Sequence, residues 1–202
     1  MAFSLFSSLA KKTPEEQFWV WFQKNEDMLF NFERDRDRTF SKLRTTLKKV
    51  HPDLTFEFGP DKNGTCEFVI SADGIKDAFA SVESLYAAAP KLARWKFIKF
   101  RPRRPAMIIQ INDIKLGPED IEVAVEADGD KAGFTVFVKG YDESRKDIFL
   151  QAAFIMLDQS IGEYDMVTKV GFIDFKPYDE VSTFKRHNLD HLPQMFDEFM
   201  AR

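Results

Sequence analysis

A six-residue phrase occurs twice in the chain and restricts the folds that the chain can adopt. Residues 97–102 read Phe-Ile-Lys-Phe-Arg-Pro, and residues 172–177 read Phe-Ile-Asp-Phe-Lys-Pro. The apolar, basic and proline positions agree between the two copies. Before each copy, the pattern of apolar residues predicts the same order of elements: strand, strand, helix, strand. The repetition therefore predicts two units of the ββαβ type, 54–102 and 121–177.

Apolar positions inside the two predicted units also correspond. The second helix is about two turns longer, which leaves its apolar face in place because a turn takes ~3.6 residues. Any α+β protein contains hairpins followed by helices, so a chance likeness is the alternative. The matching positions are Leu54, Phe56 and Phe58 with Ile121, Val123 and Val125, then Phe68 and Ile70 with Val136 and Val138, and finally Ile98 and Phe100 with Ile173 and Phe175.

The fold prediction is α+β, with an antiparallel-rich sheet built from the two ββαβ units as an internal repeat and N-terminal helices packed on it. We expect a single domain over 1–202, because units of about 50 residues bury too little surface to fold alone. The other predicted segments are the N-terminal helices in 1–53, a strand and connection in 103–120, and a C-terminal helix in 178–202.

Composition excludes several classes of protein. An apolar share of 44% excludes disorder for most of the chain, and a net charge of −4 gives no support for bulk nucleic-acid or membrane binding. No apolar run approaches the ~20 residues of a spanning helix. Cys66 is the only cysteine, so it forms no internal disulfide, and we expect a buried thiol. The first twelve residues lack a signal-peptide pattern, which favours the cytoplasm.

Three stretches carry a resemblance to known proteins. They are W-x-W-F-x-x-N-E-D at 19–27, I-S-A-D-G-I at 70–75 and L-D-Q-S-I-G-E-Y-D at 157–165. In these the chain resembles a group of uncharacterised bacterial cytosolic proteins. The L-D-x-x-x-G-E piece is also similar to small bacterial domains of unknown function, some of them loosely similar to regulators that bind other proteins. The resemblance implies no activity.

The strongest local charge signal is a basic stretch in 94–104, which contains six cations and no anion. The candidate binding residues are Lys99, Arg101, Arg103 and Arg104. Two prolines stiffen the segment, and arginine forks suit carboxylate or phosphate groups. Such a patch binds phosphate, an acidic protein or RNA. The alternative is that these cations lie at a strand edge and discourage edge pairing.

Carboxylates form a second candidate site. Asp158 and Glu163 flank the end of a predicted helix that is apolar all round, and with Glu26 or Asp27 they would form a cluster suited to metal-assisted hydrolysis. The alternative is a structural role, in which the carboxylates accept hydrogen bonds from main-chain amides of a neighbouring loop. His187 and His191 have a spacing that allows two metal ligands on a helix, but capping of a helix explains this stretch as well.

The function predicted from these features is a non-catalytic cytosolic binding or regulatory module for a protein or an anionic partner. The alternative is a metal-assisted hydrolase that uses the clustered carboxylates. The sequence contains no nucleophile elbow, phosphate loop or zinc motif, which favours the binding module and predicts no cofactor.

Overall fold

The computed structural model describes residues 12–59 and 63–201. Its contacts divide the chain into two compact units. Unit one comprises the chain up to Ala72 together with Asp77–Phe97, and unit two comprises Asp73–Lys76 together with the chain from Ile98 onward. The division falls inside the predicted unit 54–102, and the single domain over 1–202 stays a prediction.

The described residues contain seven α-helices and nine strands. The helices are α1 (Pro14–Lys24), α2 (Glu26–Phe30), α3 (Arg36–Leu47), α4 (Phe79–Ala87), α5 (Lys146–Ile161), α6 (Glu163–Lys169) and α7 (Leu192–Met200). The strands are β1 (Thr55–Phe58), β2 (Cys66–Ser71), β3 (Trp95–Lys99), β4 (Ile109–Ile111), β5 (Ile114–Leu116), β6 (Ile121–Asp128), β7 (Lys131–Val138), β8 (Val170–Pro177) and β9 (Arg186–Asn188).

The sequence Thr-Pro-Glu-Glu at 13–16 predicts the start of a helix, with Thr13 as its cap and Glu16 completing a capping box, and α1 begins there. The Thr13 hydroxyl accepts the Glu16 N–H at 3.2 Å, and the Glu16 carboxylate accepts the Thr13 N–H at 3.0 Å. This reciprocal capping box satisfies donors that have no partner inside the helix, and Pro14 suits the first helical position. The start of α1 is confirmed at the level of single hydrogen bonds.

The next helix is not continuous. The sequence predicts one helix from the Asn25 region to Val50, but the structure has α2, a 3-10 turn at Phe32–Asp35 and then α3. The side-chain amide of Asn31 donates to the Asp27 carbonyl at 2.8 Å. The same carbonyl still accepts the Asn31 main-chain N–H at 3.1 Å, so helical pairing continues up to Asn31, where φ −98° and ψ 34° leave the helical range.

Unit one is built around the ring of Phe68. Its sheet has the strand order β1-β2-β3, with β1 and β2 antiparallel, and every residue of β2 is buried. Seven aromatic rings from α1 and the strands have centroids 5.2 to 6.5 Å from that of Phe68. They belong to Phe18, Trp19, Phe22, Phe56, Phe58, Trp95 and Phe97. The predicted packing of an N-terminal helix on a sheet is therefore present in unit one.

Unit two contains a four-stranded sheet and a small hairpin. The four strands have the order β8-β7-β6-β9, in which β7 and β8 are parallel and the other pairs are antiparallel; β4 and β5 form the hairpin. Helix α5 buries Phe149, Ala152, Ala153, Met156 and Leu157 in the core of this unit. The α+β, antiparallel-rich fold is confirmed, but the strands form three sheets and not one shared sheet.

The two copies of the phrase face their sheets differently. In β3, Phe97 points into the aromatic cluster, with its ring 4.6 Å from Trp19. In β8 the equivalent residue, Phe172, is 38% exposed, while Ile173 and Phe175 pack against the core. Side chains alternate along a strand, so the copies are one residue out of phase.

The one-residue offset between the two copies affects the pairs of residues that were expected to occupy equivalent core positions. Ile98 was expected to match Ile173, and Phe100 to match Phe175, with Phe97 on the opposite face. Phe100 is buried, but it follows the last residue of β3 and has a positive φ of 61°. The structure does not confirm that these positions are equivalent.

Phe68→Ala tests the aromatic cluster. We expect a loss of about 3–5 kcal/mol in the free energy of unfolding, because the variant leaves a cavity among seven rings. Urea denaturation followed by tryptophan fluorescence measures the change. Phe184→Ala is the matched control, since Phe184 is 47% exposed. Equal losses in the two variants would show that the cluster is not the core of unit one.

Candidate functional site

The basic segment 101–104 lies against the end of α5 in unit two. Arg103 Nε donates to the Ile161 carbonyl at 2.9 Å, and the Arg104 N–H donates to the Gln159 carbonyl at 2.7 Å. The last carbonyls of a helix have no partner within it, and cationic groups suit this negative end. The segment therefore caps α5, which gives its positive charge a structural role.

Arg101 binds two carboxylates of unit two. Its Nε donates to Asp158 Oδ2 at 2.7 Å, and its Nη1 donates to Asp73 Oδ1 at 2.8 Å. Asp158 lies in the last turn of α5, where the helix dipole disfavours a negative charge. The guanidinium offsets this cost, because the side chains of Arg101 and Asp158 are both about four-fifths buried.

Burial and pairing act on the pKa of both groups. Burial alone lowers the pKa of Arg101, but the hydrogen bonds to Asp158 and Asp73 outweigh it, so the pKa lies above its usual value. Burial raises the pKa of Asp158, and this effect exceeds the opposing one of Arg101; Glu163 and Asp73 add to the rise. The site thus holds a permanent cation beside a carboxylate that is harder to ionise than usual.

Glu163 is fully buried and joins two separate segments. Its Oε2 accepts the Arg101 N–H at 2.9 Å, and its Oε1 accepts the Gly74 N–H at 3.1 Å. The Glu163 N–H in turn donates to the Arg101 carbonyl at 3.0 Å. A buried carboxylate requires such hydrogen bonds to offset its lost hydration. We call Asp73, Arg101, Asp158 and Glu163 the arginine node.

Unusual backbone conformations surround the arginine node. Phe100 has φ 61°, Asp73 φ 53°, Gly74 φ 78° and Gly162 φ 86°. A positive φ at a bulky residue such as Phe100 is an outlier. Such conformations persist only where the surroundings enforce them, and they cluster at functional sites. A Cβ at Gly162 would lie 3.3 Å from the Arg101 carbonyl oxygen, so this position requires glycine.

Arg103 connects the ends of three helices. Beside its bond to Ile161 at the end of α5, its Nη2 donates to Asp165 of α6 at 2.9 Å and its Nη1 to Asp197 of α7 at 2.7 Å. Its guanidinium also lies 5.8 Å from the centre of the Phe196 ring. Hydrogen bonding to Arg103 lowers the pKa of Asp197. Lysine has no planar fork and cannot reproduce this set of bonds.

The structure brings together residues from both predicted sites. Arg101, from the basic stretch, pairs with Asp158 from the carboxylate set, and Glu163 holds the Arg101 main chain. Glu163 thereby takes the predicted alternative role, in which a carboxylate accepts main-chain N–H groups. Lys99 is the exposed last residue of β3, and Arg104 caps α5 through its main chain.

The other two predicted carboxylates belong to unit one. Glu26 accepts from Arg94 Nε at 3.1 Å, and Asp27 accepts from Arg94 Nη2 at 2.6 Å. The predicted cluster is therefore divided between the units. Glu26 and Asp27 bind Arg94 in unit one, and Asp158 and Glu163 bind Arg101 in unit two. Across 12–59 and 63–201, no group of three or more His, Cys, Asp or Glu side chains is arranged to hold a metal ion.

The remaining candidates have structural surroundings. His187 lies in β9 opposite Val123, and burial lowers its pKa. The Cys66 thiol is buried, as expected, with Sγ 3.4 Å from the Gly59 carbonyl oxygen.

Sequence reasoning missed the partners of the arginines: Asp73, Asp165 and Asp197. The position of Asp73 before a predicted helix predicts a cap for that helix, whereas Asp73 has a positive φ and binds Arg101. Asp-Gly at 73–74 is a turn signal and would have identified the left-handed backbone. No local pattern indicates that Asp197 pairs with Arg103, which lies 94 residues earlier.

Comparison with known proteins adds no family. No family model, no curated protein and no solved structure matches the chain. The resemblance to uncharacterised bacterial cytosolic proteins stays a prediction. Within the described part of the chain, no helix is long and apolar enough to cross a membrane.

Glu163→Gln tests the buried carboxylate. The amide has one acceptor oxygen in place of two, so either the Arg101 or the Gly74 N–H faces a donor. We expect a loss of about 1–3 kcal/mol in the free energy of unfolding, measured by urea denaturation. Glu198→Gln on α7 is the control, because Glu198 is exposed. A loss no greater than that of the control would show that Glu163 does not hold these segments.

Asp197→Asn tests the link between Arg103 and α7 through its pH dependence. The folded pKa of Asp197 lies below its ordinary value of 3.8, so the stability it contributes is present above that pH and is lost as the pH falls further. At neutral pH we expect the variant to lose about 1 kcal/mol or less in the free energy of unfolding, with a correspondingly lower melting temperature, because the pair is partly exposed. Below pH 3.8 the difference should shrink; a difference independent of pH would contradict this origin.

Proposed function

We propose that the protein is a non-catalytic binding module whose partner is another protein. The observation that carries the proposal is a surface beside the arginine node. There Ile75 and Tyr164 are 43% and 46% exposed, and the Asp73 side chain is 71% exposed. We call Asp73, Ile75 and Tyr164 the node surface.

The three side chains of the node surface stand on connected backbone. Glu163 accepts the Gly74 N–H, and this bond places the turn that carries Asp73 and Ile75 beside the start of α6, which carries Tyr164. Tyr164 also packs on the buried ring of Phe100 at 5.2 Å. Apolar side chains held in water on an enforced backbone favour a contact site for protein. Such preorganisation reduces the ordering cost of binding.

Charge indicates the kind of partner. Three carboxylates surround the Arg101 guanidinium, those of Asp73, Asp158 and Glu163. An anion approaching the guanidinium meets these negative groups, which weakens the case for an anionic partner. A Lys or Arg side chain meets the exposed Asp73 carboxylate favourably. We infer that the partner presents a basic residue next to an apolar one.

The hydrolase alternative has less support. Glu26 and Asp27 both accept hydrogen bonds from Arg94, and both carboxylate oxygens of Glu163 accept main-chain N–H groups. Asp158 retains one chemically useful property, its raised pKa, but it is bonded to Arg101. These contacts favour the structural reading of all four carboxylates.

The internal repeat also remains a proposal. In each unit a hairpin is followed by helical structure and a third strand that lies beside the second, which supports a common origin. The opposite facing of Phe97 and Phe172 counts against a simple repeat, so the copies would have diverged by a one-residue shift.

A displayed library of random peptides, selected against the full chain, tests the binding proposal. We expect enrichment of peptides with Lys or Arg beside an apolar residue. Their affinity should fall about tenfold in Ile75→Ser and in Asp73→Asn, because each removes one contact of ~1.4 kcal/mol. Asparagine tolerates the positive φ at position 73, so Asp73→Asn removes charge without a new backbone strain.

Val181→Ala is the control for these variants, since Val181 is 91% exposed and lies outside the node surface. Melting temperatures establish that each variant is folded. Binding should weaken with added salt, because exposed charges are screened over ~8–10 Å. Enrichment of acidic peptides, or equal affinity of all variants, would overturn the proposal.

A further inference from the structure

Strand β8 is an outer strand of the four-stranded sheet. Within the described residues it pairs with β7 alone, at the end of the order β8-β7-β6-β9. An outer strand presents alternate N–H and C=O groups on its free side, and these groups are a template for another strand. At eight residues, β8 is long for an outer strand.

The direction of the Phe175 main chain identifies part of this free side. Its N–H is accepted by Oδ1 of the preceding Asp174 at 3.0 Å, so this N–H is directed away from β7. Main-chain groups of alternate residues share a direction, so Ile173 faces the same side. The Asp174 carboxylate therefore occupies a hydrogen-bonding position that a further strand would use.

An exposed apolar side chain lies beside this edge. Phe154, on the outer face of α5, is 42% exposed, and its ring lies 5.5 Å from that of Phe175. Large apolar groups in water next to an open edge are typical of a surface that another chain covers.

The charges on β8 are complementary to those of a second, antiparallel copy of the same strand. Asp174 and Lys176 flank Phe175 symmetrically. We propose that two copies of the protein form a homodimer in which their β8 strands pair antiparallel about a two-fold axis at Phe175. In this register Asp174 of each copy lies opposite Lys176 of the other, and opposite charges facing across strands are stabilising.

Other registers lose this match. A two-fold axis at Ile173 sets Asp174 opposite Phe172 and Lys176 opposite Val170. An axis at Asp174 sets Lys176 opposite Phe172 and Asp174 opposite its own equivalent, which is a like charge. The axis at Phe175 is therefore the one that pairs both charges, and it also places the outward main chain of Phe175 opposite its own equivalent, where each N–H donates to the other carbonyl.

Dimerisation exchanges bonds that already exist within one copy. In a single copy, Asp174 accepts the Phe175 N–H and lies 3.6 Å from Lys176. In the dimer the Phe175 N–H donates to the second copy, and the Asp174 carboxylate pairs with Lys176 of the second copy. Lys176 retains Glu180 at 3.1 Å. The axis is perpendicular to the sheet, so both α5 helices lie on one face. Phe154 of each copy then meets the other across the new seam and becomes buried.

Sedimentation of the full chain over a range of concentrations tests the dimer. We expect a reversible monomer–dimer equilibrium in the unmodified protein. Phe154→Glu should abolish it, while Phe184→Glu, a matched exposed phenylalanine elsewhere in unit two, should leave it unchanged. Melting temperatures at low concentration establish that both variants fold.

A charge exchange tests the register. Asp174→Lys alone and Lys176→Asp alone each set like charges opposite one another, and each should raise the dissociation constant about tenfold. The double variant Asp174→Lys with Lys176→Asp restores opposite charges and should recover the affinity of the unmodified protein. A protein that stays monomeric at every concentration, or a dimer that the double variant fails to restore, would overturn the proposal. These outcomes do not involve the node surface and leave the proposed function unaffected.

Discussion

The architecture of unit two depends on the buried carboxylate of Glu163. A charge removed from water costs several kcal/mol unless hydrogen bonds compensate for its hydration. The main-chain N–H groups of Arg101 and Gly74 supply that compensation. In doing so they hold Phe100 in a left-handed conformation that this residue would not adopt alone, and they position the left-handed turn at Asp73. The hydrogen bonds between Glu163 and these main-chain N–H groups thus offset both the lost hydration of the carboxylate and the strain of the loops.

Hydrogen bonds of this kind also give the basic segment 101–104 a structural role. As a sequence, 101–104 is a cluster of positive charge. In the folded chain Arg101 and Arg103 form ion pairs with carboxylates. Arg103 and Arg104 also donate hydrogen bonds to main-chain carbonyls at the end of α5. Their charge is used to end a helix and join its neighbours. The node surface nearby exposes Asp73, Ile75 and Tyr164, so the partner that we propose differs in chemistry from the anionic partner that the basic stretch predicts.

Local signals predicted the elements well where their physics is local. The capping box at Thr13 and the apolar body of α5 depend on residues a few positions apart, and both are confirmed. The long second helix was wrong because the chain leaves the helical range at Asn31, and a pattern of apolar spacing does not indicate such a change of backbone conformation.

The sequence by itself determined where α1 begins, the two hairpins β1-β2 and β6-β7, and the body of α5, and it placed both sets of candidate residues near element ends. Only the tertiary structure decided which of them meet, because Arg101 and Asp158 are 57 residues apart and no short-range rule connects them. It also decided that Phe97 packs in the aromatic cluster of unit one while Phe172 is exposed. A strand has two faces, and the one that becomes buried is the one covered by packed side chains elsewhere in the fold.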